Sequence, residues 1–365
     1  MNHIRHYIVL ATSTCLLSGC NLVVMEPSGD IAVQQRNLII VSVALMLLII
    51  IPVIFLTLFF AWKYRETNTS ATYRPEWHHS TRLEVLIWSA PLAIIIALGA
   101  VTWASTHQLD PYRPLSRIDA SRPIAENQKT LTVEVVALDW KWLFIYPDLG
   151  IATVNQLAAP VDMPISFKLT ASSVMNTFYV PALAGMIYTM PGMETRLHAV
   201  INREGEFAGF SGNYSGDGFS RMRFQFLGLP QASFDQWVEK VKAEGTELTR
   251  EAYLTLERPS TAEPVRYYGS FDDGLYAAIL NLCVQPGKVC MNEVMHRDMH
   301  GKQGEPIDRT RLEYDNRHST SGRPGATFPA TGNPAHSKEE IEPTEHPAST
   351  PQSTKPTTSN PHSTH

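Results

Sequence analysis

Two long apolar runs near the start of the chain restrict its fold more than any other feature. Residues 38–62 are almost unbroken Leu, Ile, Val and Phe, and residues 84–106 form a second run that opens on one acid, Glu84, and holds no further charge. As helices rising 1.5 Å per residue, each reaches about 35 Å, against a hydrocarbon layer of about 30 Å. Two spanning helices are therefore expected. Pro52 and Pro91 fall inside them, which spanning helices tolerate where neighbours satisfy the freed carbonyl. Trp62, Tyr64, Trp88 and Trp103 sit near the predicted ends, where amphipathic rings favour the interface. The turn between the runs carries Lys63, Arg65, Arg74 and Arg82 against Glu66 and Glu76, with His78 and His79 beside them. That bias places this turn in the cytoplasm. The contrast is modest, because the linker after the second run carries Arg113, Arg117 and Arg122.

The first residues read as a processing signal. Arg5 supplies a positive start, and the apolar stretch 7–17 is too short to span. Leu17-Ser-Gly-Cys20 resembles a bacterial lipobox, which implies cleavage before Cys20 and lipid on its sulfur and new amino group. Residues 1–19 are then a signal peptide and 20–37 an outer segment. Lipid is added on the outer face, so the first span runs inward, the second outward, and everything after residue 106 lies outside. The formal net charge of −5 and pI near 6.2 offer no basic field for nucleic acid.

Past a linker at 107–125 the hydrophobic period becomes two. Leu131, Val133, Val135 and Ala137 alternate with Thr132, Glu134 and Val136; Ile165, Phe167 and Leu169 alternate with Ser166 and Lys168. The same period holds for Leu197, Ala199 and Ile201, and for Met222, Phe224 and Phe226. Short strands broken by Gly, Pro and Asn predict an all-β antiparallel sandwich over 126–229. From residue 230 the pattern turns helical: Phe234, Trp237, Val238 and Val241 share one helical face, and 275–282 offers a second short helix. Residues 230–300 are accordingly expected to be a small helical region. Residues 301–365 are Pro, Thr, Ser and His with few large apolar residues, and are expected to be disordered.

Two stretches of the predicted sandwich carry the family signal. Asn176-Thr-Phe-Tyr-Val-Pro181 is followed by Ser211-Gly-Asn-Tyr-Ser-Gly-Asp-Gly-Phe-Ser-Arg-Met222. Together they resemble the copper-binding loops of haem-copper oxidase subunit II, whose pattern is His-Ser-Phe-Trp-x-Pro and then C-x-E-x-C-x-x-x-H-x-x-M. In that register Asn176 replaces the first His, Ser211 and Ser215 the two Cys, Asn213 the Glu and Phe219 the second His. Met222 alone is kept. Trp140-Lys-Trp-Leu-Phe-Ile-Tyr-Pro147 and Tyr188-Thr-Met-Pro-Gly-Met193 further resemble the bo-type ubiquinol oxidase branch of that family. The resemblance covers about 38–230 and continues more weakly to about 300.

The resemblance implies a cupredoxin-like domain without copper. Dinuclear copper needs thiolate and imidazole donors, and Ser, Asn and Phe supply neither. No metal is therefore expected in this chain, and electrons would not pass through it. The haems and catalytic copper would belong to a partner subunit I, which would oxidise ubiquinol, with subunits III and IV completing a proton-pumping complex in a bacterial inner membrane. Glu84 matches a family glutamate near a proton-uptake path, and an acid at a membrane helix end can collect protons. Thr81-x-x-Glu84 is equally a capping-box pattern. Cys283 and Cys290 face an oxidising compartment and can form a disulfide. The zinc-like spacing that they make with His296 and His300 is the lesser reading. The rival reading of the whole chain is a lipid-anchored protein with a cupredoxin-like ligand-binding or copper-handling role.

Overall fold

A computed structural model of the chain describes residues 22–72, 76–125 and 127–300. Cys20, the signal region and the 301–365 tail lie outside the described residues.

Two long helices open the described chain. Helix α1, Asp30–Lys63, has 34 residues and helix α2, Thr81–Gln108, has 28. Their apolar windows are wholly unburied within the chain, and the two helices pack against each other. Both extend past the apolar runs, α1 by the polar turns at its start. Gly29 caps α1 in an extended conformation and is wedged against the domain. A Cβ there would lie 2.5 Å from the Leu183 carbonyl oxygen and 2.6 Å from that of Val200. Helix α2 departs from the capping-box expectation. Its N-cap is Ser80, not Thr81, and no side chain caps it. The Glu84 carboxylate turns instead to the His79 Nδ1, 2.6 Å away.

The β region begins with β1 (Leu131–Leu138), β2 (Lys141–Tyr146), β3 (Ile151–Val154), β4 (Gln156–Pro160) and β5 (Pro164–Ala171). It continues with β6 (Asn176–Tyr179), β7 (Ile187–Thr189), β8 (Thr195–Val200), β9 (Gly205–Ser211) and β10 (Arg223–Leu229). Helix α3 (Gln231–Glu244), β11 (Thr246–Leu248), helix α4 (Arg250–Leu256), β12 (Arg266–Phe271), helix α5 (Leu275–Leu280) and helix α6 (Met291–His300) follow among the described residues.

One sheet has the order β11-β12-β3-β2-β1-β5-β8 and the other β4-β10-β9-β6-β7. The sandwich is mixed rather than antiparallel: β1 pairs β5 in parallel, and β4 pairs β10 in parallel. Alternation in a sequence fixes which face a residue takes, and says nothing of strand direction. Trp142, Phe144, Phe167, Phe178, Phe224 and Phe226 fill the space between the sheets, with Phe178 stacked on Phe224 at 5.3 Å. Helix α3 closes one end through the four apolar residues anticipated for it, and its Trp237 meets the Tyr146 ring edge-on at 5.7 Å.

The 230–300 region is not purely helical. Its β11 and β12 extend the large sheet beside β3. The Arg-Tyr-Tyr-Gly-Ser-Phe of β12 is aromatic and short, which favours a pleated, half-buried position over a helix. On the outer side of that sheet, Leu248, Tyr253, Tyr268, Tyr276 and Cys283 form a second core with Val136, Leu143 and Ile145. A disulfide joins Cys283, after α5, to Cys290, at the start of α6.

Candidate functional site at the paired loops of the sandwich

The two stretches that resemble copper loops meet at one end of the sandwich. Asn176 opens β6, Ser211 closes β9, and Met222 precedes β10; all three are buried. Strand pairing forces the meeting: β6 lies against β9 and β9 against β10, and the Ser211 amide donates to the Met222 carbonyl at 3.2 Å.

Their polar atoms are turned on each other. The Ser211 hydroxyl donates to Asn176 Oδ1 at 3.1 Å and accepts from the Thr177 amide at 3.4 Å. Asn176 Nδ2 donates to the Val174 carbonyl, and Asn213 Nδ2 to the Met175 carbonyl, each at 3.2 Å. Phe219 lies in a short 3₁₀ turn with its ring edge-on to Tyr214 at 5.8 Å. Met222 packs into the sandwich core. The Ser215 hydroxyl is buried without a hydrogen-bond partner.

Trp140 holds this loop from outside. It turns the β1–β2 hairpin with a left-handed backbone, φ 63°, where a bulky residue is unusual. Its indole N–H donates to the Ser215 carbonyl at 3.0 Å. The ring lies so close to the loop that a Cβ at Gly218 would be 2.3 Å from it, so only glycine fits there. The neighbouring Lys141 is buried, and burial pushes its ammonium pKa down. Its Nζ donates to the Arg258 carbonyl at 2.8 Å and the Ser260 hydroxyl at 2.7 Å, fixing the hairpin to the segment before β12.

A copper pair does not fit this set. The donors are amide and hydroxyl oxygens plus one thioether, and the buried Ser211 and Asn176 side chains bond to each other. Soft copper is held by thiolate, thioether and imidazole. Asn176, Ser211, Asn213, Ser215, Phe219 and Met222 include no ionisable group. Among the described residues, no three His, Cys, Asp or Glu side chains converge as a metal site.

Glu84 lies at the far end of α2, about half exposed, with His79 beside its carboxylate. The structure therefore separates Glu84 from the loop by the length of a span. Sequence reasoning missed a third grouping, where α1 meets the domain. Asp30, buried at the start of α1, accepts two hydrogen bonds from Arg117, at 2.9 and 3.1 Å, and one from Gln34 at 2.7 Å. Nothing in the local pattern joins residues 87 positions apart.

Residues 149–226 match the family described as Cytochrome C oxidase subunit II, periplasmic domain, and residues 242–287 match the COX Aromatic Rich Motif. The second match covers most of the tyrosine-rich core outside the large sheet. With two apolar helices leading into a cupredoxin-like sandwich, these matches define the class: subunit II of a haem-copper oxidase. The chain is 48% identical over 265 residues to the cytochrome bo(3) ubiquinol oxidase subunit 2 of Pseudomonas aeruginosa, across 73% of this chain and 77% of the relative. It is 48% identical over 269 residues to the ubiquinol oxidase subunit 2 of Acetobacter aceti, across 74% of this chain and 85% of the relative. A solved periplasmic domain of cytochrome oxidase subunit II from Bradyrhizobium japonicum superposes with a TM-score of 0.31 at 23% identity, covering 33% of this chain and 96% of that domain. The chain belongs to the ubiquinol oxidase subunit II family.

Proposed function

We propose that this chain is the non-redox subunit of a proton-pumping ubiquinol oxidase. In this reading its two helices flank the catalytic subunit I in a bacterial inner membrane, and the sandwich caps that subunit's outer face. Ubiquinol delivers electrons to subunit I, which holds the haems and the oxygen-reducing copper, and subunits III and IV complete the assembly. Lipid on Cys20 supplements anchoring by the spans. Glu84 stands near the cytoplasmic mouth of a proton path.

One observation carries the non-redox role: of the positions that hold copper donors in the family pattern, Ser211 bonds to Asn176 and Asn213 bonds to the Met175 carbonyl. The test is metal and haem analysis of the purified complex, followed by separation of its subunits. All copper should remain with the haem-bearing chain, and the near-infrared band of a mixed-valence copper pair should be missing. Copper in stoichiometric amount on this polypeptide would overturn the role. Glu84→Ala should slow turnover in an assembled complex with its haem content unchanged. Unaltered turnover would leave Glu84 only its pairing with His79. A Cys20→Ser chain should lose the acyl mass and stay in the membrane through its spans.

A further inference from the structure

Where both spans meet the domain, the chain encloses an open cavity of about 330 Å³, within the size range of small-ligand sites (roughly 300–1,000 Å³). Gln34 and Gln35 of α1, Gln108 at the end of α2, the 109–117 linker and Gly185–Met186 and Leu197–His198 of the domain line it. Its height in the membrane follows from the sequence. Gln34 lies one turn beyond the apolar run that starts at residue 38, about 6 Å above it along the helix. The headgroup layer occupies roughly 5–8 Å on each side of the hydrocarbon. The mouth of the cavity is thus level with the phosphates of the outer leaflet.

The charges of the lining are of two kinds. Asp30 and Arg117 neutralise each other. Arg113 and Asp110 do not: Arg113 Nη1 donates only to the His107 carbonyl, at 3.3 Å, and Asp110 Oδ1 accepts only the Tyr112 amide, at 2.9 Å. One cation and one anion, held on the same turn by the Arg113 amide bonding to the Asp110 carbonyl at 3.1 Å, face the headgroup layer without a charged partner among the described residues. The glutamine amides add neutral donors. Burial lowers the His198 pKa, and Arg196 lowers it further, so that wall is uncharged at neutral pH. Ile31, Leu109 and Leu115 add apolar surface to the lining.

We propose that this collar binds one phospholipid of the outer leaflet through a zwitterionic ethanolamine headgroup. Arg113 and the glutamine amides hold the phosphate, the Asp110 carboxylate accepts N–H bonds from the ammonium, and the apolar side chains of the lining meet the start of the acyl chains. A quaternary ammonium fits less well. It has no N–H to donate and favours aromatic faces, and no Phe, Tyr or Trp lines the cavity.

The test uses the assembled oxidase in nanodiscs containing equal ethanolamine and choline phospholipids. Native mass spectrometry counts the lipid that stays bound after the nanodisc is stripped away. The wild-type complex should keep one ethanolamine phospholipid more than the Arg113→Glu complex. Ser116→Trp, which narrows the cavity without touching its charges, should lose the same lipid, and this second variant covers a failure of the first to assemble. Arg223→Glu, on β10 of the sandwich, should retain it. Asp110→Asn should keep a lipid and lose the preference for ethanolamine over choline. Equal lipid counts in the wild type, Arg113→Glu and Ser116→Trp would overturn the site. So would a side chain of subunit I filling the cavity, which shows as no lipid in the wild type. Equal retention of choline lipid by the wild type would overturn the headgroup assignment.

Discussion

The sandwich and the two spans bury their apolar residues in opposite ways. In the sandwich, Val133, Val135, Phe144, Phe167 and Phe226 are completely shielded by the chain itself. In the spans, Phe55, Leu58, Ile95 and Trp103 are each more than three-fifths exposed. Both regions read as hydrophobic in sequence, yet only one is satisfied within the chain. The spans rely on lipid and on neighbouring helices, which exert no hydrophobic drive of their own in a bilayer. A single residue type should therefore contribute to stability very differently in the two regions.

Phe178→Ala gives the largest effect. The ring is fully buried between Trp142, Phe167 and Phe224, with centroids 5.6, 5.3 and 5.3 Å away. Deleting it should cost about 3–5 kcal/mol. Leu58→Ala, on the exposed side of α1, should change the stability of the domain by less than about 0.5 kcal/mol. Denaturant unfolding of the full chain in detergent, read from near-UV dichroism, compares them. Similar losses would break the contrast between the regions.

The same contrast explains how much the sequence revealed. The spans were readable because length and composition decide them. Only their polar ends were missed, since the helical turn from Asp30 to Asn37 is fixed by the docking of Gly29 on the Leu183 and Val200 carbonyls. The strands were readable from period two, but the parallel pairing of β1 with β5 was not, because alternation is the same in either direction. The strand β12 was lost to its helical neighbours: six residues with a central glycine give little periodicity. Of the candidate loop, the register of Asn176, Ser211 and Met222 was legible. The bond from the Ser211 hydroxyl to Asn176 was not, since it depends on which rotamers the buried side chains take. The Asp30–Arg117 clamp joins distant segments and leaves no local trace.

That clamp is where the two regions meet, and it gives the next largest effect. Asp30 is buried and Arg117 about two-fifths exposed. Arg117→Leu leaves a buried carboxylate with only Gln34. Losing one partner of a fully buried pair costs about 3–5 kcal/mol; with Arg117 open to water, about 1–3 kcal/mol is expected after solvent screening. Limited proteolysis should show faster cleavage in the 109–117 linker, with the sandwich itself intact. An unchanged cleavage rate would mean that Gly29 alone holds the joint.

A smaller effect tests the rule that the sandwich satisfies its buried groups. Glu134 on β1 has its carboxyl pKa raised by burial, which the facing Lys168 relieves in part. A carboxyl whose folded pKa is raised stabilises most when neutral. That contribution is present below the ordinary carboxylate range and lost as pH climbs through the raised value. Glu134→Gln should therefore raise Tm at pH 7 and leave it nearly unchanged at pH 4. Equal gains at both would assign the effect to packing rather than charge.

The smallest effect falls on the loop between β9 and β10. Ser215 stands where the family pattern has a cysteine, and its buried hydroxyl finds no partner, whereas its carbonyl accepts the Trp140 indole. An unpaired buried hydroxyl contributes nothing to the fold and carries its desolvation cost. Ser215→Ala should therefore be neutral or stabilising by a few tenths of a kcal/mol. Ser211→Ala should cost about 1 kcal/mol, because it removes the donor to Asn176 and the acceptor for the Thr177 amide. Unfolding midpoints of the two variants separate the roles of two serines four residues apart. One is bonded into the sandwich; the other is buried without a bond from its hydroxyl. A clear loss at Ser215 would mean that its hydroxyl is bonded in the assembled oxidase, through water or through subunit I, and would move the boundary between self-satisfied and partner-dependent structure into the loop itself.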